Sequence, residues 1–189
     1  LSRSKSLYKS KQYGLCLIEV ETAARLSPDD LKVQEILVGL HSMFLRLDMA
    51  EQSVKTFIEY AKTNNKLKSR GYQELADIEV LRGHLKKAKE LYKKAKGLGD
   101  PNGIAKASLE EFSEHVDSTE RQPLNPNLLF INPINALNRK GEIFAHFGMY
   151  QRAMGIYSMV LRMSPTNLTA LLNTATTNYK NEKYNRTIS

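Results

Sequence analysis

The chain has 189 residues, 41% of them apolar and 25% charged, with a net charge of +8 and one cysteine. That is enough apolar material for a packed core. No run of ~18 apolar residues supplies a membrane span, the opening Leu1-Ser2-Arg3-Ser4-Lys5-Ser6 lacks the apolar stretch of a secretory signal, and a lone cysteine cannot form an internal disulfide, which fits a reducing cytoplasm.

Leu7 to Asp30 reads as a helical hairpin entered part-way. Lys11-Gln12-Tyr13 is its turn, and a helix from Leu15 to Leu26 places Tyr13, Cys16, Val20 and Ala23 at i, i+3, i+7 and i+10 on one face. Ser27-Pro28-Asp29-Asp30 stops it, because a residue before proline is driven out of the helical region. Leu31 to Asn65 is a less regular unit. Leu37, Leu40 and Phe44 form its first stripe, Leu47-Asp48-Met49-Ala50 its expected turn, and Ser53, Phe57, Tyr60 and Ala61 its inward positions.

Leu67 to Pro101 is regular again. Tyr72, Leu75 and Ala76 lead into Gly83-His84-Leu85, then Ala88, Tyr92 and Ala95, with a stop at Gly97-Leu98-Gly99-Asp100-Pro101. Residues 102–133 break the pattern. Ile104, Ala107, Leu109, Phe112 and Val116 give one amphipathic helix. A stretch from Ser118 to Pro133 with three prolines follows, expected to lie extended against the helices and to bury Phe130 and Ile131.

Ile134 to Asn167 is the clearest unit. Gly141 and Phe144 stand on its first helix and Gly148-Met149-Tyr150 forms the turn. Ala153, Tyr157, Val160, Leu161 and Met163 face inward on the second helix, and Ser164-Pro165-Thr166-Asn167 ends it. Gly83, Ala88 and Tyr92 recur as Gly148, Ala153 and Tyr157, each 65 residues on. Leu168 to Ser189 opens a further unit through Leu171, Leu172 and Ala175, with a turn expected at Lys180-Asn181-Glu182-Lys183-Tyr184.

A small residue at the crossing, an aromatic one turn on and a terminal proline resemble the tetratricopeptide repeat, a helix–turn–helix unit of about 34 residues that buries its apolar face by stacking on its neighbours. Leu137 stands where the family often has tryptophan, Cys16 where it usually has alanine, and His41 where it prefers a small residue. The resemblance implies an all-α, right-handed superhelix of antiparallel helix pairs with one irregular insertion. Residues 1–101 then hold three hairpins, 102–133 the irregular helix and connection, and 134–189 one strong repeat and a truncated one. A fainter resemblance, to the repeat region of bacterial response regulators, rests on the order of degenerate repeats, Pro/Asn-rich connection and Leu137-Asn138-Arg139-Lys140.

Residues that carry catalysis are not apparent. Cys16, His41, His84, His115 and His146 share no metal-ligand spacing, no Gly-rich phosphate loop is present, and Glu110, Glu111 and Glu114 read as a solvated face. Asn167-Leu-Thr and Asn185-Arg-Thr match the glycosylation triplet, which has meaning only in a secreted chain. No enzyme activity, cofactor or metal is expected. Charge is uneven: residues 62–96 hold eleven Lys/Arg against four Asp/Glu, while residues 100–120 hold six acids against Lys106 alone. Lys86, Lys87, Lys89, Lys93, Lys94 and Lys96 raise an alternative, an RNA-binding basic helical repeat. They flank the inward positions Ala88, Tyr92 and Ala95 as solvated lysines do, which disfavours nucleic acid.

The family resemblance implies a non-catalytic scaffold, a piece of a larger and conceivably signalling protein, that binds a protein or peptide in the groove lined by first helices. The net charge suits an acidic partner. The groove positions carried over are Arg70, Gln73, Asp77, Asn138, Arg139, Glu142, Asn173 and Thr176, of which Arg139 and Asn173 could hold a carboxylate. The family's chaperone-tail clamp needs Lys and Asn one turn apart, where this chain has Asn138 and Glu142, so that ligand is not expected. No membrane contact is expected, and self-association would run through the incomplete last repeat.

Overall fold

The computed structural model describes residues 2–115 and 132–188, with backbone alone for 113–115 and 183–188. Among these residues the chain is all-helical and contains no strand. The helices are α1 (Ser2–Lys9), α2 (Tyr13–Leu26), α3 (Leu31–Met43), α4 (Leu47–Tyr60), α5 (Asn65–Leu81), α6 (Leu85–Gly97), α7 (Ile104–His115), α8 (Pro133–His146), α9 (Tyr150–Met163) and α10 (Leu168–Ile188). No helix among them is long and apolar enough to cross a membrane.

Two local devices set this pattern. The pairs α1–α2, α3–α4, α5–α6 and α8–α9 are each joined by three residues, and the middle one is left-handed: Lys11 (φ 59°), Leu45 (54°), Gly83 (79°) and Gly148 (81°). A three-residue link between packed helices forces them antiparallel. Glycine adopts that backbone freely, whereas Lys11 and Leu45 hold it at a steric cost of about 1 kcal/mol. Helices that enter after a longer connection begin instead with a short polar side chain that accepts from exposed N–H groups. Asp30 accepts from Lys32 and Val33 (2.9 and 3.2 Å), Asn64 from Leu67 (3.1 Å), Asp100 from Ala105 and Lys106 (3.1 and 2.8 Å), Asn132 from Ile134 (2.9 Å) and Asn167 from Ala170 (2.8 Å). Pro133 occupies the first helical position of α8, where a missing N–H is harmless.

Small residues sit at the crossings. Cys16, Ala88 and Ala153 are buried, as are Val20, Tyr92 and Tyr157 one turn on. At Gly141 a Cβ would lie 2.7 Å from Tyr157 Cζ and 2.8 Å from Cδ1, so α8 meets α9 through a bare backbone.

Three expectations need correction. The α3–α4 turn is Phe44-Leu45-Arg46, not Leu47–Ala50. Leu45 and Leu47 are both buried, and packing of these side chains carries a non-glycine residue into the left-handed region. No turn interrupts residues 180–184: α10 runs unbroken to Ile188, and that stretch contains no glycine to take a left-handed backbone. In α7 the buried face is Ala105, Ser108, Glu111 and Phe112, with Ile104, Ala107 and Leu109 half-buried beside it. The expected burial of Phe130 and Ile131, and the Val116 end of the α7 stripe, lie outside the described residues.

Successive helices from α1 to α7 pack each on the next. The α8–α9 pair does not extend that row: α8 lies against α3 and α5, and α9 against α7. Four polar contacts pin it there. Lys140 donates to Ser42 Oγ at 2.7 Å, Arg152 donates to Asp77, the Gln151 N–H donates to Glu111 at 2.6 Å, and Lys11 donates to the Met163 carbonyl at 2.8 Å. The stack is therefore closed on itself, with α8 lying against the first helices of two earlier hairpins, α3 and α5.

Candidate functional site

Internal partners decide what the expected groove residues can do. Arg70 pairs with Glu35, and Gln73 donates to Asp100 at 2.8 Å. Asp77, fully buried, accepts from the Tyr92 hydroxyl and from Arg152. Asn138 donates to Asn167 at 3.2 Å. Glu142 accepts from Arg139 at 3.2 Å and from Asn173 at 3.3 Å, so these two residues do grip a carboxylate, but an internal one. Thr176 is exposed. Seven of the eight residues thus fall into two groups, with Asn138 buried apart from both. Arg139, Glu142, Asn173 and Thr176 share one α8–α10 surface, while Arg70, Gln73 and Asp77 belong to α5, the first two lining a small cavity of about 240 Å³.

Buried charge concentrates where α5 faces α8 and α9. Burial opposes the Arg152 charge, yet Asp77 and neighbouring acids outweigh it and hold its pKa above the ordinary arginine value. Burial, then the Asp77 charge, pushes the Tyr92 phenol well up. Arg152 also lies 5.6 Å from the Phe144 ring centre, over its face. Glu74, on the same side of α5, is pushed up by burial and by Asp77, against the pull of Lys140, Arg152 and Arg70.

A larger cavity of about 520 Å³ opens between α1–α3 and α8–α9. Ile36, Leu40, Met43, Leu137, Tyr8 and Met159 make its apolar wall; Lys140, Ser42 and Glu74 supply the polar groups, and Lys5 and Lys9 stand at its exposed edge. None of the eight expected residues lines it. The sequence carries a signal for Lys140: it lies three residues after Leu137 and four before Phe144, on the apolar stripe of α8. A lysine there is buried by its position. Glu74 is neighbour to Gln73, one step around the helix, and no spacing distinguishes them.

Elsewhere, the lysines of α6 behave as a solvated face. Lys87 donates to Glu79 at 2.8 Å, Lys93 to Glu90 at 2.9 Å, and Lys94 sits 4.2 Å above the Tyr72 ring. Cys16 is buried, its thiol pushed up by burial and donating to the Ser4 carbonyl at 3.3 Å. His41 packs despite its size. Its pKa is lowered by burial, so the neutral ring donates to Glu21 (3.2 Å) and accepts from Ser53 (3.0 Å). Among the described residues no cluster of three His, Cys, Asp or Glu could hold a metal ion.

The fold and these sites define a class, an all-helical stack of hairpins with a charged, partly hollow interior. No family model matches the chain, and no curated protein matches it either.

Proposed function

We propose that the chain is a tetratricopeptide-type helical scaffold that binds a protein or peptide partner and carries out no chemistry itself. The observation that carries this reading is the repetition of one crossing: a left-handed turn residue, then a small buried residue, then a buried tyrosine or valine, in α1–α2, α5–α6 and α8–α9. Hairpins of this kind bury their apolar faces by stacking and leave their exposed faces free to vary for recognition. With α8 lying against α3 and α5, the partner surface of this reading is the α8–α10 face, where Arg139, Glu142, Asn173 and Thr176 adjoin the exposed Leu172 and Tyr179. An apolar anchor ringed by charge and amide groups suits a peptide with one large apolar side chain. Three of the α6 lysines, Lys87, Lys93 and Lys94, are drawn into contacts with Glu79, Glu90 and Tyr72, which speaks against RNA.

The test is selection of binders from a random peptide display library, followed by titration of the enriched peptides. Arg139→Glu with Asn173→Ala is expected to weaken them at least tenfold, while Lys86→Glu with Lys94→Glu changes little. Enriched peptides indifferent to the first pair, or tight binding of an oligouridine probe that falls steeply with salt, would overturn the reading.

A further inference from the structure

The cavity between α1–α3 and α8–α9 has a composition that packing alone does not explain. Protein interiors hold few voids larger than a water molecule, and about 520 Å³ falls within the range of roughly 300–1,000 Å³ typical of small-molecule sites. Its wall is apolar, but Lys140 stands in it only 7% exposed. An ammonium carries three N–H donors. Among the described residues, one of these is used, on Ser42 Oγ at 2.7 Å, and no carboxylate lies within ion-pair distance of it. Glu74 lines the same space and makes no hydrogen bond to a described residue; burial disfavours its charge more than the nearby Lys140 favours it. A buried cation held by one neutral hydroxyl is costly unless something anionic completes its shell.

We propose that this cavity binds a monocarboxylate with an apolar chain, of the fatty-acid type, its carboxylate accepting from Lys140 and its chain lying along Ile36, Leu40, Met43, Leu137 and Met159. Charge fixes the sign of the head group. Lys140, Lys5 and Lys9 line the site against the single acid Glu74, which excludes a cationic amphiphile. A phosphate dianion would set two charges beside Glu74, whereas a carboxylate sets one. Protonated, Glu74 has a hydroxyl to donate to that carboxylate. This site is separate from the α8–α10 surface and stands whether or not a peptide binds there.

Gly39 provides a clean block. It lines the cavity from the middle of α3, and a Cβ there meets nothing within 4 Å. Gly39→Leu therefore fills the space without pressing on the core and favours the helix. Calorimetric titration with decanoate, decanol and decylammonium separates the outcomes. Decanoate is expected to bind one to one and more tightly than decanol. Lys140→Met should weaken decanoate about 10- to 100-fold, as loss of a charge-assisted hydrogen bond does, and leave decanol unchanged. Gly39→Leu should abolish both while the melting temperature holds or rises. Equal affinity for decanoate and decanol, tighter binding of decylammonium, or decanoate binding that survives Gly39→Leu would overturn the proposal. Should Lys140→Met fail to fold, the decanoate–decanol contrast on the unaltered chain decides the same point.

Discussion

The α5–α6 and α8–α9 hairpins are built on one skeleton, 65 residues apart, and differ in how each is finished. Ala76 and Gly141 take the crossing on the first helix, Ile78 and Ile143 the next buried layer, and Tyr92 and Tyr157 fill the same place on the second. At the turn they part. Glu79, Arg82 and His84 make an ionic cluster in the first, where Arg82 reaches Asp48 at 2.7 Å and His84 reaches Glu79 at 2.7 Å. Phe144, Phe147 and Met149 stand at the matching positions of the second, all buried. The acid after the crossing also changes role: Asp77 is buried with Tyr92 and Arg152, while Glu142 is half-buried with Arg139 and Asn173. The pattern of small and aromatic residues sets the hairpin. The positions between them decide which turn is held by charge and which is sealed by apolar packing.

The largest effect falls on Asp77, and its counterpart Glu142 sets the contrast. Asp77→Ala leaves the Arg152 guanidinium buried without its carboxylate, and a chemical denaturation curve should show a loss of about 3–5 kcal/mol. Glu142→Ala breaks a pair in which Arg139 and Glu142 remain 24% and 36% exposed, and should cost about 1 kcal/mol or less. Equal losses would erase the distinction between the two hairpins.

The crossings come next. Gly141→Ala forces a methyl into the Tyr157 ring and should lower stability by about 1–3 kcal/mol despite the better helix propensity of alanine. Ala76→Gly removes a fully buried methyl, and should cost about 1–2 kcal/mol through lost burial and lower helix propensity. Thermal melts compare the two directly; a stabilised Gly141→Ala would show that α8 and α9 do not meet where Tyr157 lies over Gly141.

Acid should then separate the two turns. Lys55 and Arg82 hold the Glu51 carboxyl down to about 2 from 4.5, and Lys87 and His84 hold Glu79 below its ordinary value. A carboxylate with a depressed folded pKa stabilises fully above its unfolded value and loses that contribution as pH falls through the folded one. Amide protection factors, taken against the intrinsic exchange rate at each pH, should therefore fall at the α5–α6 turn between pH 4.5 and 2, while the apolar α8–α9 turn keeps its protection until global unfolding. Arg82→Gln should flatten the difference.

These contrasts also mark what the residues disclose by themselves. Gly83 and Gly148 announce their turns because glycine adopts a left-handed backbone readily. Leu45 hides its turn, since only the burial of Leu45 and Leu47 around it makes a leucine acceptable there. The helices of α5–α6 and α8–α9 are legible from periodicity. The return of α8 onto α3 and α5 is not, because it depends on contacts such as Lys140 with Ser42, 98 residues apart. For the same reason Asp77 reads as a groove residue, although closure brings Arg152 onto it; Arg70 and Gln73 are taken up instead by Glu35 and Asp100, within the first seven helices. Lys140 was visible as a lysine on an apolar stripe; the hollow it faces was not.

The closed arrangement rests on Asp77 and Arg152 meeting across α5 and α9, and a double-mutant cycle on that pair addresses it most directly. Asp77→Asn, Arg152→Met and the double variant would each be unfolded in denaturant. A closed stack predicts a coupling of about 1–3 kcal/mol, with the double variant more stable than the two single losses added together. Additive losses, within about 0.5 kcal/mol of zero coupling, would mean that the two side chains do not meet and that α8–α9 is not folded back on α5.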